Sequence, residues 1–329
     1  MNFLSKNIRT ISIIFFIVAI IFVVILNNSK EKTEQTIFVF DTVTDISLSG
    51  KDADKATNEI IQTLNHTEKV FSKYMPQSTT YIFNHLEDGS MLSIPNEVSD
   101  LITRSVEISK QTDGAFDITI SKLSDLWQVK TATTPPAEKD ILSALDCVGY
   151  EKIKLSQNLI SKTSAEIDFG GILKGYAADK VRKIAQKNEI ESGIVNLGGN
   201  VCLIGSNGGK PWNVGIVNPF SPSEVYLTVK AENTNVITSG AYQRYFEYNG
   251  EIYHHILSPK TGYPSKSDLA SVTVISSDGT LADALSTAIF VQGSRDGLKT
   301  AEKFGLDVIM IKKDGSVIAT EGVKYKMEK

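Results

Sequence analysis

Apolar residues along this chain fall into one unbroken run near the start, several helically spaced sets, and many short strand-like stretches. The unbroken run extends from Ile11 to Leu26 and is interrupted only by Ser12. Lys6 and Arg9 precede the run, and a polar, charged segment from Asn27 to Gln35 follows it. At about sixteen residues the run is slightly short for a membrane-spanning helix, although flanking residues can extend it.

Three interpretations of this run compete: a cleaved signal peptide, an uncleaved signal anchor and a buried core helix. No Ala-x-Ala cleavage site follows it and no cysteine lies near it to accept a lipid, which favours the anchor. A core helix fits less well because the run has no polar face. We therefore expect residues 1–35 to form an anchor with a polar spacer, and residues 36–329 to form one folded domain.

The remaining pattern predicts helices and short strands without a regular βαβ alternation, which favours an α+β fold over a doubly wound sheet. Helical spacing predicts five helices, at Ala53–Phe71, Asn96–Lys110 with Asn96 as its cap, Gly171–Lys187, Leu281–Val291 and Ser294–Phe304. Strand-like stretches run at Phe38–Leu48, Ile194–Leu197, Trp212–Val217, Val236–Ser239, Tyr253–Ile256, Ala270–Ser276 and Val308–Ile311.

The amino-acid composition argues against several classes of function. Hydrophobic residues make up 41% of the 329 and charged residues 22%, so a packed core is expected. A net charge of −4 with no basic excess argues against nucleic acid as a partner. Two cysteines, no Cys-x-x-Cys and four histidines argue against a disulfide framework and against a zinc or iron–sulfur site.

Candidate chemistry begins with Asp283 and Thr287, which stand four apart and so share one face of a predicted helix. With Ser286 between them, their oxygens could form half of a site for a hard cation. The simpler interpretation is an aspartate near a helix start that favours the helix dipole, and spacing alone favours this.

A second signal is the segment from Asp168 to Tyr176, where a strand end leads through Gly170 and Gly171 into a helix carrying Lys174. Glycines let a backbone approach a ligand closely, and helix amino termini attract phosphate. An ordinary strand-to-helix turn explains the segment equally well, and it matches neither a Walker motif nor a dinucleotide fingerprint.

Three further features could carry chemistry, and each has a structural alternative. His254 and His255 adjoin a strand-end loop, where one histidine could move a proton, or either could be an ordinary hydrogen-bonded residue. The stretch from Thr112 to Asp117 resembles a loop at a ligand's edge. Tyr74 could stack on a flat ring, although packing is the usual role of a tyrosine.

Eight blocks in a fixed order make the chain from about Phe38 to Gly293 resemble the ApbE family, the FAD:protein FMN transferases. The blocks are Ser72-Lys-Tyr74 with Ser78, Gly114–Asp117, Asp168–Asp179, Val195–Gly199, Pro211–Ile216, Thr238–Gly240, His255–Pro264 and Ala282–Thr287. The resemblance implies mixed sheets with packed helices related to the T-fold. It also implies a Mg²⁺-dependent reaction that breaks the FAD pyrophosphate, joins FMN to a threonine or serine hydroxyl of an acceptor protein, and releases AMP.

The resemblance also implies roles for particular residues. His255 matches the histidine that assists deprotonation of the acceptor hydroxyl. The positions that match metal ligands or their neighbours are Gly171, Asp283, Ser286 and Thr287. The positions that match FAD contacts are Phe40, Tyr74, Ala115, Phe116, Asp117, Asp168, Lys174 and Leu257.

This chain departs from the family pattern in three places. Phe40-Asp41-Thr42 stands where the family usually has Met-Gly-Thr, and Ser258 stands where an aspartate usually precedes the loop proline. Many relatives are lipoproteins, whereas this chain lacks the cysteine that would accept the lipid.

Two alternatives keep the fold and change the function. One is an exported protein that binds FAD, or hydrolyses it to FMN and AMP, without a protein acceptor. The other is a flavoprotein carrying its own covalent FMN. A protein that carries its own covalent FMN would contain the flavinylation motif Asp-Gly-x-Thr/Ser-Gly-Ala-Thr/Ser. The nearest strings here, Asp113-Gly-Ala-Phe and Asp278-Gly-Thr-Leu, lack the second half of that motif, which argues against this alternative.

We expect the amino-terminal run to hold the protein in the cytoplasmic membrane with its catalytic domain on the outer side. Lys6 and Arg9 should remain in the cytoplasm, as positive residues beside a spanning segment do. Membrane fractionation with intact-mass measurement tests this. A mature protein beginning after Leu26 and free of the membrane would contradict the anchor, and a cytosolic protein would contradict export as well.

Overall fold

The computed structural model describes residues 31–328, so the predicted amino-terminal apolar helix lies outside the described part of the chain. Within these residues, no helix is both long and apolar enough to cross a membrane. The helices are α1 (Ala53–Phe71), α2 (Thr79–Asn84), α3 (Asn96–Gln111), α4 (Ser121–Trp127), α5 (Glu138–Leu145), α6 (Leu173–Lys187) and α7 (Gly279–Lys303), with short 3₁₀ turns at Tyr150–Lys152 and Ala241–Gln243.

The strands form one large antiparallel sheet and three small ones. The strands are β1 (Glu31–Val39), β2 (Thr42–Gly50), β3 (Met91–Ser93), β4 (Lys154–Ser156), β5 (Leu159–Ser161), β6 (Ser192–Leu197), β7 (Asn200–Gly205), β8 (Trp212–Asn218), β9 (Ser221–Ala231), β10 (Asn235–Gly240), β11 (Tyr245–Tyr248), β12 (Glu251–His254), β13 (Leu269–Ser276), β14 (Asp307–Lys312), β15 (Val317–Ala319) and β16 (Tyr325–Met327).

Eight strands make up the large sheet in the order β1-β2-β6-β7-β10-β13-β14-β15, and every neighbouring pair is antiparallel. The small sheets are β11-β12, β16-β9-β8 and β3-β5-β4. Antiparallel pairing with helices between the strands confirms the predicted mixing of helix and strand without βαβ units.

Helices cover one face of the large sheet because their apolar residues fall on one side. Ile60, Leu64 and Phe71 of α1 are almost fully buried, and burying each contributes about 1.5–3 kcal/mol. Ile60 and Leu64 form a cluster with α6 against β1, β2, β6 and β7, whereas Phe71 lies outside that cluster. A second cluster surrounds α7, β10, β13 and β14. The opposite face of the sheet packs against β8 and β9.

The predicted strand at Phe38–Leu48 is wrong as one element, because a tight turn at Phe40 and Asp41 divides it into β1 and β2. Both turn residues adopt a positive φ, 57° and 58°, which side chains of this size rarely do. An aromatic residue is common in strands, so the sequence pattern runs on through the turn. The strand also begins earlier than expected, at Glu31, because β1 is an edge strand, and Lys32, Glu34, Gln35 and Thr36 in it are exposed and give no apolar signal.

Other boundaries differ for identifiable reasons. Pro95, not Asn96, precedes α3, and Asn96 instead accepts a hydrogen bond from Asn158. Gly170 and Gly171 form a turn, so α6 starts at Leu173. The two predicted helices at the end are both present, because Gly293, with φ 80° and ψ 174°, is non-helical and divides α7 between Val291 and Ser294, although the first begins earlier than expected, at Gly279. The elements that the pattern missed are mostly short, such as the three-residue strands β3, β4 and β5, and a hydrophobic period cannot be recognised over so few residues.

Candidate active site

Asp283 is the buried carboxylate at the centre of the candidate site. It lies in the second turn of α7 and is only 4% exposed. One carboxylate oxygen accepts a hydrogen bond from the Gly175 N–H at 2.8 Å, and the other accepts from Asn200 Nδ2 at 2.9 Å. Burial raises the pKa of Asp283, and the nearby Lys174 ammonium opposes that rise. Asp283 thus has a fixed geometry and a cationic neighbour.

A cluster of hydroxyl groups lies one turn further along α7. Ser239, at the end of β10, approaches Ser286 Oγ at 2.7 Å and Thr287 Oγ1 at 3.4 Å. Gly171 faces the same hydroxyl, since a methyl group on it would lie 3.5 Å from Thr287 Oγ1 and 3.4 Å from the Phe116 ring. The structure therefore brings the predicted metal-binding positions together.

The donors in this region suit a hard cation. Among residues 31–328, no group of three or more His, Cys, Asp or Glu side chains is arranged to hold a metal ion. A cation here would therefore rest on one carboxylate, on hydroxyl and backbone oxygens, and on water. Mg²⁺ commonly binds with one or two carboxylates and keeps several waters, so the residues present fit that ion.

His255 follows β12 and is held by the residue that precedes β11. Its Nδ1 lies 3.2 Å from the Arg244 carbonyl oxygen, and its backbone N–H donates to the same oxygen at 3.1 Å. A carbonyl oxygen only accepts, so Nδ1 carries the proton and Nε2 keeps a free lone pair. Burial, followed by the Arg244 charge, lowers the pKa of His255 to about 3. A neutral imidazole with a free Nε2 can accept a proton.

The adjacent His254 is a structural residue. It is 4% exposed, its Nε2 donates to the Ser265 carbonyl at 3.1 Å, and its Nδ1 accepts from the Ile256 N–H at 3.3 Å. Its ring also packs edge-on against Phe290. Burial lowers the pKa of His254 to about 4. Both ring nitrogens of His254 have partners, which distinguishes it from His255, the histidine that the family resemblance selected.

Cationic side chains surround His255. The pKa of Lys174 is lowered, chiefly by burial. The Asp283 carboxylate opposes this shift, and the Arg244 charge adds to it. Burial and Arg244 likewise lower the pKa of Lys130. Asp41 pairs with Lys130 and lies 3.4 Å from Arg244, and it is the acid that the β1–β2 turn contributes. An anionic ligand near these cations would relieve the repulsion that Arg244 exerts on Lys174, Lys130 and His255.

Asp168 borders the site on the side of Gly171. Its Oδ1 accepts from the Gly170 N–H at 2.8 Å, and its Oδ2 accepts from Ser124 Oγ at 2.9 Å and lies 3.0 Å from Lys73 Nζ. Although burial opposes ionisation, the Lys73 ammonium and these hydrogen bonds hold the pKa of Asp168 below its usual range. Asp168 is therefore a fixed anion at the start of the glycine turn.

The other predicted flavin contacts lie in varied surroundings, and their assignment stays a prediction. Tyr74 is 74% exposed, with Lys73 Nζ 5.2 Å from its ring centre. Phe40 is half-buried between the two helix-side clusters. Ala115 and Phe116 are buried, and Leu257 packs in the cluster around Trp127.

The carboxylate of Asp117 is held by hydrogen bonds from Thr119 and Tyr150. Asp117 accepts from the Thr119 N–H at 2.8 Å, from the Thr119 hydroxyl at 2.7 Å and from the Tyr150 N–H at 2.7 Å. Burial raises the pKa of Asp117, and the three hydrogen bonds oppose that rise. The side chain thus shapes the loop that presents Phe116 to Gly171.

Several residues around the site received no role from the sequence. Ser239, Asn200 and Arg244 lie in polar stretches near strand ends. The polarity of these stretches is the sequence feature that could have identified them as site residues. Lys73 was named only as part of the Ser72-Lys-Tyr74 block, and Ser124 and Asp125 were not named, because Lys73 meets its partners across 51 or more positions of sequence.

We expect the His255 and His254 imidazoles to stay neutral as the pH of the free protein falls from 7 to 5. An unfolded histidine titrates near pH 6.5. With folded pKa values of about 3 and about 4, the unfolded state binds more protons below pH 6.5. Stability should therefore decrease as pH falls through that range. Imidazole ¹⁵N shifts, assigned with His254→Gln and His255→Gln, report both tautomer and charge. A His255 that titrates near 6.5 would contradict the buried, Arg244-bonded ring.

Known proteins resemble this chain over most of its length. The ApbE family model matches residues 40–310. The FAD:protein FMN transferase of Klebsiella pneumoniae (strain 342) is 30% identical over 268 residues, which cover 79% of this chain and 83% of that protein.

Solved structures agree with this match. The ApbE protein from Thermotoga maritima is 32% identical with a TM-score of 0.82, covering 88% of this chain and 97% of that one. The apo form of the Pseudomonas stutzeri flavinyl transferase ApbE is 28% identical with a TM-score of 0.79, covering 89% and 95%. The described domain thus has the mixed α/β fold of ApbE structures, and the chain belongs to the ApbE family and is a transferase.

Proposed function

We propose that this protein transfers FMN from FAD to a threonine or serine hydroxyl of an acceptor protein, with Mg²⁺ bound and AMP released. The observation that carries the proposal is the buried Asp283 carboxylate next to Lys174 and the Ser239, Ser286 and Thr287 hydroxyls. Arg244 and Lys174 link this cluster electrostatically to a neutral His255. The relatives are FAD:protein FMN transferases, which supports FAD as donor and a protein as acceptor.

The reaction exchanges one P–O bond for another. The acceptor hydroxyl oxygen forms a bond to the phosphorus of the FMN half, and the bond from that phosphorus to the AMP oxygen breaks. The hydroxyl proton goes to the Nε2 of His255, and AMP leaves with the bonding electron pair. A neutral hydroxyl is a poor nucleophile, so a base placed beside it is needed.

The chain's own residues have separable parts in this scheme. Asp283, Thr287, Ser286 and the backbone at Gly171 would hold Mg²⁺, which offsets charge on the pyrophosphate when bound. Lys174 and Arg244 would hold the anionic phosphates. Such phosphates near His255 would raise its pKa from about 3, and so make it a stronger base once FAD is bound.

The remaining proposals concern the residues that contact FAD, the acceptor protein and the location of the enzyme in the cell. Tyr74, Phe40 and Leu257 would contact the FAD, with Ala115, Phe116, Asp117 and Asp168 at its edge. The acceptor would be an exported protein carrying a threonine or serine flavinylation motif. The amino-terminal run would anchor the enzyme in the membrane, facing that acceptor, for the reasons of charge and length given above.

Asp283→Asn should reduce transfer by about 100-fold or more at limiting Mg²⁺, because loss of even an outer metal partner typically costs 10–100-fold. Asparagine keeps an oxygen for the Gly175 N–H and removes the charge. The assay is mass spectrometry of FMN on an acceptor incubated with FAD and Mg²⁺. Asp296→Asn, which changes an exposed carboxylate on the same helix, is the matched control. Wild-type transfer by Asp283→Asn at limiting Mg²⁺ would refute the metal assignment.

His255→Gln should lower the transfer rate by about 10²–10⁴-fold while leaving FAD affinity nearly unchanged, because a general base acts mainly in the transition state. Single-turnover transfer and FAD fluorescence titration measure the two quantities separately. His254→Gln is the comparison, and it should affect thermal stability more than the chemical step. FAD binding that falls in parallel with rate would identify His255 as a ligand contact. FMN formed without acceptor would favour hydrolysis instead.

A further inference from the structure

Lys73 is a buried cation with no part in the reaction scheme above. It follows the end of α1 directly after Ser72, and its side chain is only 5% exposed. Its Nζ lies 2.8 Å from Asp125 Oδ1, 3.0 Å from Asp168 Oδ2 and 2.5 Å from Ser124 Oγ. Burying an ammonium is costly unless it is well paired, and here two carboxylates and a hydroxyl pair it.

The same contacts continue toward the glycine turn. Lys73 and Ser124 both contact Asp168 Oδ2, which leaves Oδ1 to accept from the Gly170 N–H at 2.8 Å. Gly170 is so close that a methyl group on it would lie 3.0 Å from that oxygen. The next residue, Gly171, faces Thr287 Oγ1 across the candidate cation site. A chain of short contacts therefore runs from Asp125 through Lys73 and Asp168 to this site.

Each link restricts the next. Asp168 cannot rotate away from Lys73 without leaving a buried ammonium with one carboxylate fewer. If Asp168 stays, the Gly170 N–H stays with it, which fixes the peptide that joins Phe169 to Gly170, immediately before Gly171. Flexible glycines would otherwise leave this turn many conformations, and a metal ligand in a mobile turn binds weakly.

We propose that Lys73, itself held by Asp125, is a positioning residue that fixes the Asp168–Gly171 turn and thereby sets the affinity of the Gly171–Asp283–Thr287 site for a divalent cation. This inference rests on the proposed function, because that function supplies the cation. It assigns Lys73 no contact with FAD and no proton transfer.

The variants are Lys73→Met, which keeps length and removes charge, Lys73→Arg, which restores charge, and Asp125→Asn. The Asp125 side chain is 51% exposed, so its substitution should leave the protein folded even if Lys73→Met does not. Lys162→Met is the matched control. Lys162 is another buried lysine, but it donates to the Ala165 carbonyl at 2.9 Å, away from the turn.

The first measurement is Mn²⁺ binding to the full-length protein without FAD, by electron paramagnetic resonance, with Mg²⁺ as competitor. We expect about 10–100-fold weaker binding in Lys73→Met, typical for loss of an outer-shell partner. Asp125→Asn should show a smaller loss, and Lys73→Arg should recover part of it. Lys162→Met should keep wild-type affinity whatever its melting temperature.

The second measurement is the Mg²⁺ dependence of FMN transfer. Saturating Mg²⁺ should largely restore the rate of Lys73→Met, with the KM for FAD unchanged. Wild-type metal affinity in folded Lys73→Met and Asp125→Asn would overturn the inference, as would a change confined to the KM for FAD. A wild-type protein that binds no Mn²⁺ would overturn the proposed metal site itself, and the inference with it.

Discussion

The site depends on how closely α6 and α7 approach each other. A methyl group on Gly175 would overlap the Gly279 carbonyl oxygen and lie 2.6 Å from the Asp283 Cβ, so only glycine permits this crossing. The short distance lets the Gly175 N–H reach the Asp283 carboxylate, with Lys174 beside it. Asp179 of α6 also accepts hydrogen bonds from the Gly279 and Thr280 N–H groups at the start of α7. The two helices therefore hold the Asp283 carboxylate and the Lys174 ammonium in a fixed arrangement.

Burial opposes the ionisation of two key groups, Asp283 and His255, in the free protein. Burial raises the pKa of Asp283 and lowers the pKa of His255. Both shifts reflect desolvation, and both are reduced by an ion of suitable charge, a cation for the carboxylate and an anion for the imidazole. A bound metal would therefore favour the ionised carboxylate of Asp283, and a bound diphosphate would favour proton acceptance by His255.

Much of the fold followed from hydrophobic spacing, and the reasons for success and failure are physical. Helix α1 was predicted to the residue because one face is uniformly apolar and the other charged. The turn at Phe40 and Asp41 was missed because its residues resemble strand residues and their positive φ is imposed by tertiary contacts, such as the Phe40 N–H bond to Glu68 at 2.7 Å.

The site residues show the same difference between what local sequence patterns reveal and what only tertiary contacts reveal. Asp283 and Thr287 were found because four-residue spacing on a helix has a fixed geometric meaning. Choosing between His254 and His255 required knowing which ring nitrogen had a partner, and neighbouring positions in sequence cannot show that. Lys73 and Asp125 needed the folded chain, because their pairing depends on how α4 packs beside the end of α1.

Strand β1 has a consequence for where the reaction would occur relative to a membrane. It begins at Glu31 and ends at the turn that places Asp41 beside Arg244. Only residues 27–30 separate it from the apolar run, and four residues span at most about 14 Å. Nine residues of antiparallel strand then extend about 30 Å. With the apolar run in a membrane, as proposed, the domain would lie close to that membrane, and the site would lie about one strand's length from it. An acceptor would then have to present its hydroxyl within that distance.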